Sequence, residues 1–70
     1  MTREEMEREI SDLEAYIQYK QDGIDDLIKR YDGARPAWVS GDIGWDMVHI
    51  ENAREKISEI KAKLEAETAQ

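Results

Sequence analysis

Cysteine is absent from this 70-residue chain, phenylalanine is absent too, and histidine occurs once. Without thiols there are no disulfides, no thiol catalysis and no cysteine-based zinc sites, and a single histidine makes a zinc site built from protein ligands alone an unfavourable prospect. The longest apolar runs are two or three residues, far too short to cross a bilayer. The first residues, Met-Thr-Arg-Glu-Glu, are too acidic for a signal or transit peptide, so we expect a soluble cytoplasmic protein.

Basic residues are also in short supply, with 10 Lys and Arg against 17 Asp and Glu, which gives a net charge of -7. Direct binding to nucleic acid requires clustered cations, so the charge balance argues against it and against an anionic membrane surface. The same balance favours a basic protein partner, or solubility alone.

The chain is long enough for one small domain, residues 1–70. A domain of this size buries only about 60% of the surface of its unfolded chain. Such scaffolds depend on disulfides, metals, self-association or very regular helix packing. Because the chain has no cysteine and a single histidine, self-association and regular helix packing are the remaining sources of stability.

Apolar residues in the first half recur at the spacing of a heptad helix. Thr2 and Glu5 have the spacing of a capping box, which predicts that the helix begins near Arg3. Seven apolar residues follow one another at spacings of 4, 3, 4, 7, 3 and 4, and we call the stripe that they form along the helix its seam: Met6, Ile10, Leu13, Ile17, Ile24, Leu27 and Tyr31. Lys20 occupies the empty position of this seam. We predict one helix over about 3–31, with a bend at Gly23 left open.

A turn-rich segment follows, and it contains three of the four glycines and the single proline. It predicts a loop over about 32–44, with Gly33 as a left-handed helix cap. Ser40, Asp42 and Gly44 are each suitable N-caps for the second helix, and the sequence does not choose among them.

The second helix is predicted over about 45–66. Its seam at 3-4 spacing is Ile50, Ala53, Ile57, Ile60 and Leu64, extended backwards by Ile43 and Met47. The chain loses its apolar face after Leu64, so residues 66–70 are expected to fray. The predicted fold is therefore all-α, a two-helix antiparallel hairpin.

A hairpin covers each seam from one side only. We therefore expect it to complete its core as a homo-oligomeric helical bundle, in which hairpins pack face to face. A partner protein that supplies the missing surface is the alternative, and the sequence sets no number of subunits.

Lys20 has two main interpretations at its seam position. The commoner outcome is that its stem lies along the core while the ammonium reaches water, in which case Lys20→Leu would raise the melting temperature. The alternative is an ion pair with a carboxylate across the seam, which would fix the register of the helices. A third places the ammonium at the mouth of a pocket.

Enzyme signatures are lacking, and we predict neither catalysis nor a cofactor. Asp46 and His49 have the three-residue spacing of the carboxylate–histidine motif in di-iron bundles. Lys20 on the facing helix would repel a metal, so we favour the interpretation that His49 stacks on Trp45, and we predict no metal site.

The candidate binding residues are aromatic or cationic: Tyr16, Tyr19, Lys20, Arg35, Trp38, Trp45 and His49. One interpretation is a small core at the loop end, capped by the tryptophans. The other is a stacking pocket for a nucleotide-like ligand or a peptide, which would make the protein an oligomeric sponge for a small molecule.

Acidic residues off the seam of helix one form a further candidate surface: Glu4, Glu7, Glu14, Asp22, Asp25 and Asp26. A solvated helix face is one interpretation. Imitation of nucleic-acid phosphates, which would occupy the basic groove of a nucleic-acid-binding protein, is the other.

No motif places the chain in a family. Its general build, a short acidic helical hairpin with tryptophans near the loop, is similar to that of many small accessory proteins of bacteria and their viruses. We therefore expect a non-enzymatic binding protein, an inhibitor or adaptor of the anti-defence kind, that occupies a protein partner through the acidic face and the Trp38/Trp45 region.

Overall fold

The computed structural model describes residues 2–68, which form two helices joined by a short loop. Helix α1 is Arg3–Arg30 and helix α2 is Ala37–Thr68. Glu9 pairs with Lys56 and Lys20 pairs with Asp46, so positions that advance along α1 meet positions that recede along α2. The predicted all-α antiparallel hairpin is confirmed.

Helix α1 begins and ends as its sequence predicts. The Glu5 backbone N–H donates to the Thr2 hydroxyl at 3.1 Å, which satisfies one of the free N–H groups of the first turn. The helix is continuous through Gly23. Its C-cap is Tyr31, whose N–H donates to the Leu27 carbonyl, and Gly33 has a φ of 92° in the left-handed region that glycine favours.

The predicted loop over 32–44 and the predicted start of helix two at about 45 are wrong. Helix α2 starts at Ala37, so Ser40, Asp42 and Gly44 all lie inside it and none of them is its N-cap. The cause is tertiary packing: Val39 is fully buried in one cluster with Ile24 and Ile43. Burial of these side chains outweighs the poor helix propensity of the two glycines in this stretch.

Each helix presents eight positions at spacings of 4, 3, 4, 3, 4, 3 and 4, all buried or half-buried. Along α1 and its C-cap these are Met6, Ile10, Leu13, Ile17, Lys20, Ile24, Leu27 and, at the cap, Tyr31. In α2 they are Val39, Ile43, Asp46, Ile50, Ala53, Ile57, Ile60 and Leu64. The seam of α1 is the predicted one, but Met47 does not belong to the seam of α2, because it is 56% exposed while Asp46 takes that position.

The hairpin is a rod with principal extents of 55 × 15 × 14 Å. The predicted fraying of residues 66–70 stays a prediction, since α2 continues to Thr68 and residues 69–70 lie outside the described part. Within residues 2–68, neither helix combines the length and apolarity needed to cross a bilayer.

Gly23 offers a test of whether α1 needs a glycine at its centre. A Cβ at this position meets no atom within 4 Å, and glycine costs about 0.5–1 kcal/mol relative to alanine inside a helix. We expect Gly23→Ala to raise the free energy of unfolding by about that amount, measured by urea denaturation. Gly33→Ala, at positive φ, should lower it. A Gly23→Ala protein that is less stable than wild type would contradict an α1 helix that does not depend on glycine at this position.

Candidate functional site

The two polar residues of the seams form an ion pair. Lys20 Nζ lies 3.4 Å from Asp46 Oδ1, and the side chains are only 25% and 22% exposed. The ammonium also lies 5.6 Å from the centroid of the Tyr16 ring, within range of a cation–π interaction. The expectation that Lys20 merely reaches water is therefore corrected: it pairs across the seam, and the carboxylate belongs to the same chain.

A shallow groove surrounds this pair, lined by Tyr19, Lys20, Asp22, Gly23 and Asp46. It brings together one ammonium and two carboxylates, so its local charge is negative and unfavourable for a phosphate-bearing ligand. Arg35 lies exposed in the loop, and the described residues show no hydrogen bond, ion pair or cation–π contact between Lys20 and either Arg35 or a tryptophan. The sequence-predicted set is thus divided between separate places.

Two aromatic contacts lie toward the loop end. Tyr31 and Trp38 meet edge to face with ring centroids 5.4 Å apart, and Trp45 stacks on His49 at 5.8 Å. The predicted stacking of His49 on Trp45 is confirmed. Asp46 pairs with Lys20 instead of sharing a ligand position with His49, and nowhere in residues 2–68 do three or more potential metal ligands gather.

The side of α2 that points away from α1 carries exposed apolar and small residues, and we call it the aromatic face. Its members are Trp38, Gly41, Gly44, Trp45 and Val48, which share an arc of about 120° at 100° per residue. Trp38 is 53%, Trp45 65% and Val48 45% exposed. Gly41, Gly44, Trp45 and Val48 line a groove. The sequence predicted the two tryptophans as binding residues but not Gly41, Gly44 or Val48, and it assigned both glycines to a loop.

The outward side of α1 carries the acidic face: Glu4, Glu7, Glu14, Asp22, Asp25 and Asp26, all of which are exposed. These residues fall within an arc of about 120° opposite the seam. Local partners hold some of them, since Gln18 donates to Asp22 at 2.9 Å and Arg30 pairs with Asp26 at 3.1 Å. The face presents carboxylates along the length of the rod.

Comparison with protein-family models finds no match, and neither curated proteins nor solved structures give a significant match to the chain.

Substitutions of Lys20 and Asp46 test how much the interaction between the two charges contributes to the stability of the hairpin. Lys20→Leu leaves Asp46 three-quarters buried with no cation, and we expect it to lower the free energy of unfolding by about 1–2 kcal/mol, less than the ~3–5 kcal/mol for fully buried pairs. Lys20→Leu with Asp46→Leu should restore wild-type stability or exceed it, because an apolar pair needs no desolvation of charge.

The measurement is a double-mutant cycle by urea denaturation, with Asp46→Leu as the fourth corner. A matched control is Lys56→Leu, which removes a lysine from the exposed pair with Glu9 and should change stability by less than about 1 kcal/mol. Additive effects at Lys20 and Asp46 would show that the two charges do not interact.

Proposed function

We propose that this chain is a non-enzymatic binding protein of the cytoplasm, which acts as a homo-oligomer and occupies a basic surface on a protein partner, as an inhibitor or adaptor does. The acidic face of α1 is the proposed contact surface for that partner. The observation that carries the proposal is the alignment of six exposed carboxylates on one outward side of a helix.

The acidic face crowds three carboxylates into one turn of α1, and contacts with Gln18, Gln21 and Arg30 offset only local parts of their charge. Asp22, Asp25 and Asp26 lie at i, i+3 and i+4, where like charges destabilise a helix by a few tenths of a kcal/mol for each pair. Asp22 and Asp25 point away from the seam, so they contribute nothing to the packing of α1 on α2. A basic partner would compensate this repulsion, which supports a binding role over a merely solvated surface.

A basic partner surface could itself be one that normally binds nucleic acid, in which case the acidic face would compete with phosphates. Interspersed cations such as Arg8 and Lys29 weaken the field of the face, so a groove fitted closely to nucleic acid is the less favoured partner. The alternative of a nucleotide sponge is weaker still, because the ammonium of Lys20 is already neutralised by Asp46.

Charge-neutralising variants test the acidic face. We expect Glu14→Gln, Asp22→Asn and Asp25→Asn, combined in one protein, to weaken binding to the partner roughly tenfold, since each exposed pair contributes about 0.2–1 kcal/mol. The partner is first captured from cell lysate and identified by mass spectrometry, and the dissociation constant is then measured with purified proteins by calorimetry.

The control variant combines Glu59→Gln, Glu65→Gln and Glu67→Gln, which makes the same change in net charge on α2 and should leave the dissociation constant within a factor of about two of wild type. Wild-type binding should also weaken as added salt shortens the Debye length from about 10 Å at 0.1 M to about 3 Å at 1 M. Binding that resists salt and responds equally to both variants would overturn the acidic face as the contact surface.

A further inference from the structure

We propose that the aromatic face of α2 is the surface through which two copies of this chain associate, with their α2 helices antiparallel about a two-fold axis beside Gly44 and Trp45. This inference rests on the self-association in the proposed function and gives it a location, a symmetry and a set of contacts.

The two glycines of this face have no use within the hairpin. Gly41 and Gly44 lie inside α2, where glycine is the least favourable residue apart from proline. Neither has a positive φ, and a Cβ at either position meets no atom within 4 Å. The hairpin would accept alanine at both, as it would at Gly23, but these two glycines differ from Gly23 in flanking an exposed tryptophan, and a second surface that approaches the α2 backbone closely would account for them.

The aromatic face is complementary to itself. Its two glycines are three residues apart, and two of its three exposed side chains, Trp45 and Val48, are three residues apart as well. In an antiparallel pair of α2 helices, Trp45 of each copy meets Gly44 of the other, and Val48 of each meets Gly41 of the other. A two-fold dimer requires this property, because the same patch serves both copies.

The hairpin exposes more surface than a compact monomer of the same mass, as expected of a chain that buries surface in a dimer. The chain exposes 5431 Å², whereas a compact monomer of 8.2 kDa exposes about 4,500 Å². Its radius of gyration is 16.0 Å, against about 11 Å for a compact domain of this length. The excess of roughly 900 Å² follows from the rod shape of the whole hairpin, and it is of the same order as the ~800 Å² that each partner buries in a standard interface.

Electrostatics also favour this face for contact between identical copies. Each copy carries a net charge of -7, so two copies repel one another over most of their surfaces. Between Ala37 and Val48 the charged residues are Asp42 and Asp46, and at 100° per residue they lie about 100° and 140° from the centre of the aromatic face. Two copies can therefore meet there without placing carboxylate against carboxylate.

The test compares three glycines that are equally free of neighbours. Wild type should behave as a species of about 16 kDa, twice the 8.2 kDa of the chain, in light scattering and sedimentation equilibrium. Gly41→Ala with Gly44→Ala should weaken the dimer by roughly tenfold or more, because methyl groups overfill a close contact, while circular dichroism shows the same or greater helix content. Gly23→Ala on α1 should leave the dimer dissociation constant unchanged.

A second pair of variants removes an exposed aromatic ring instead of adding methyl groups at the two glycines. Trp45→Ala should also weaken the dimer, whereas Tyr19→Ala, which truncates a ring that is 73% exposed on α1, should not. If wild type is a dimer, and neither the double-glycine variant nor Trp45→Ala weakens it, the aromatic face is not the dimer interface, although the chain does self-associate. A wild type that stays monomeric at millimolar concentration would overturn self-association as well, and would leave the aromatic face to a different partner; binding by the acidic face is tested separately.

Discussion

The ion pair between Lys20 and Asp46 is a polar contact between the two seams that is satisfied only in the native register of the hairpin. Both seams repeat every seven residues, so a slide of one helix by one heptad would again bring apolar side chains together. Such a slide would place each charge against an aliphatic neighbour, where an unpaired charge is costly to bury. The pair contributes little net stability, but it separates the native register from its nearest competitors.

Much of the fold follows from periodicity and capping. Thr2, Gly33 and the 4-3 spacing of α1 predict the first helix almost residue by residue, since each acts through local geometry. The start of α2 was missed because Gly41 and Gly44 look like loop residues when considered locally. Continuing the 4-3 spacing backwards from Ile50 reaches Asp46, Ile43 and Val39, and that long-range packing signal outweighs local propensity.

The sequence predicts the contacts of the candidate site that lie within one helix, but not those that join the two helices. The stacking of His49 on Trp45 follows from i,i+4 spacing on one helix, and the acidic face of α1 follows from the same geometry. The partner of Lys20 could not be identified without the register between helices, because acids are abundant in the chain. The spacing of Asp46 to His49 gave no hint of Lys20 as its partner, and no metal site was predicted there. Gly41 and Gly44 were assigned to the loop because the start of α2 was placed too late.

The outward faces of the hairpin lie on opposite sides of the rod, because each points away from the seam that joins α1 to α2. Association through the aromatic face would therefore place the two α2 helices at the centre and expose an acidic face on each outer side. A dimer of this order presents two equivalent contact surfaces, and a partner with two basic sites would bind the second as an intramolecular event. Self-association and partner binding would then be coupled through geometry alone, with no change of conformation in either helix.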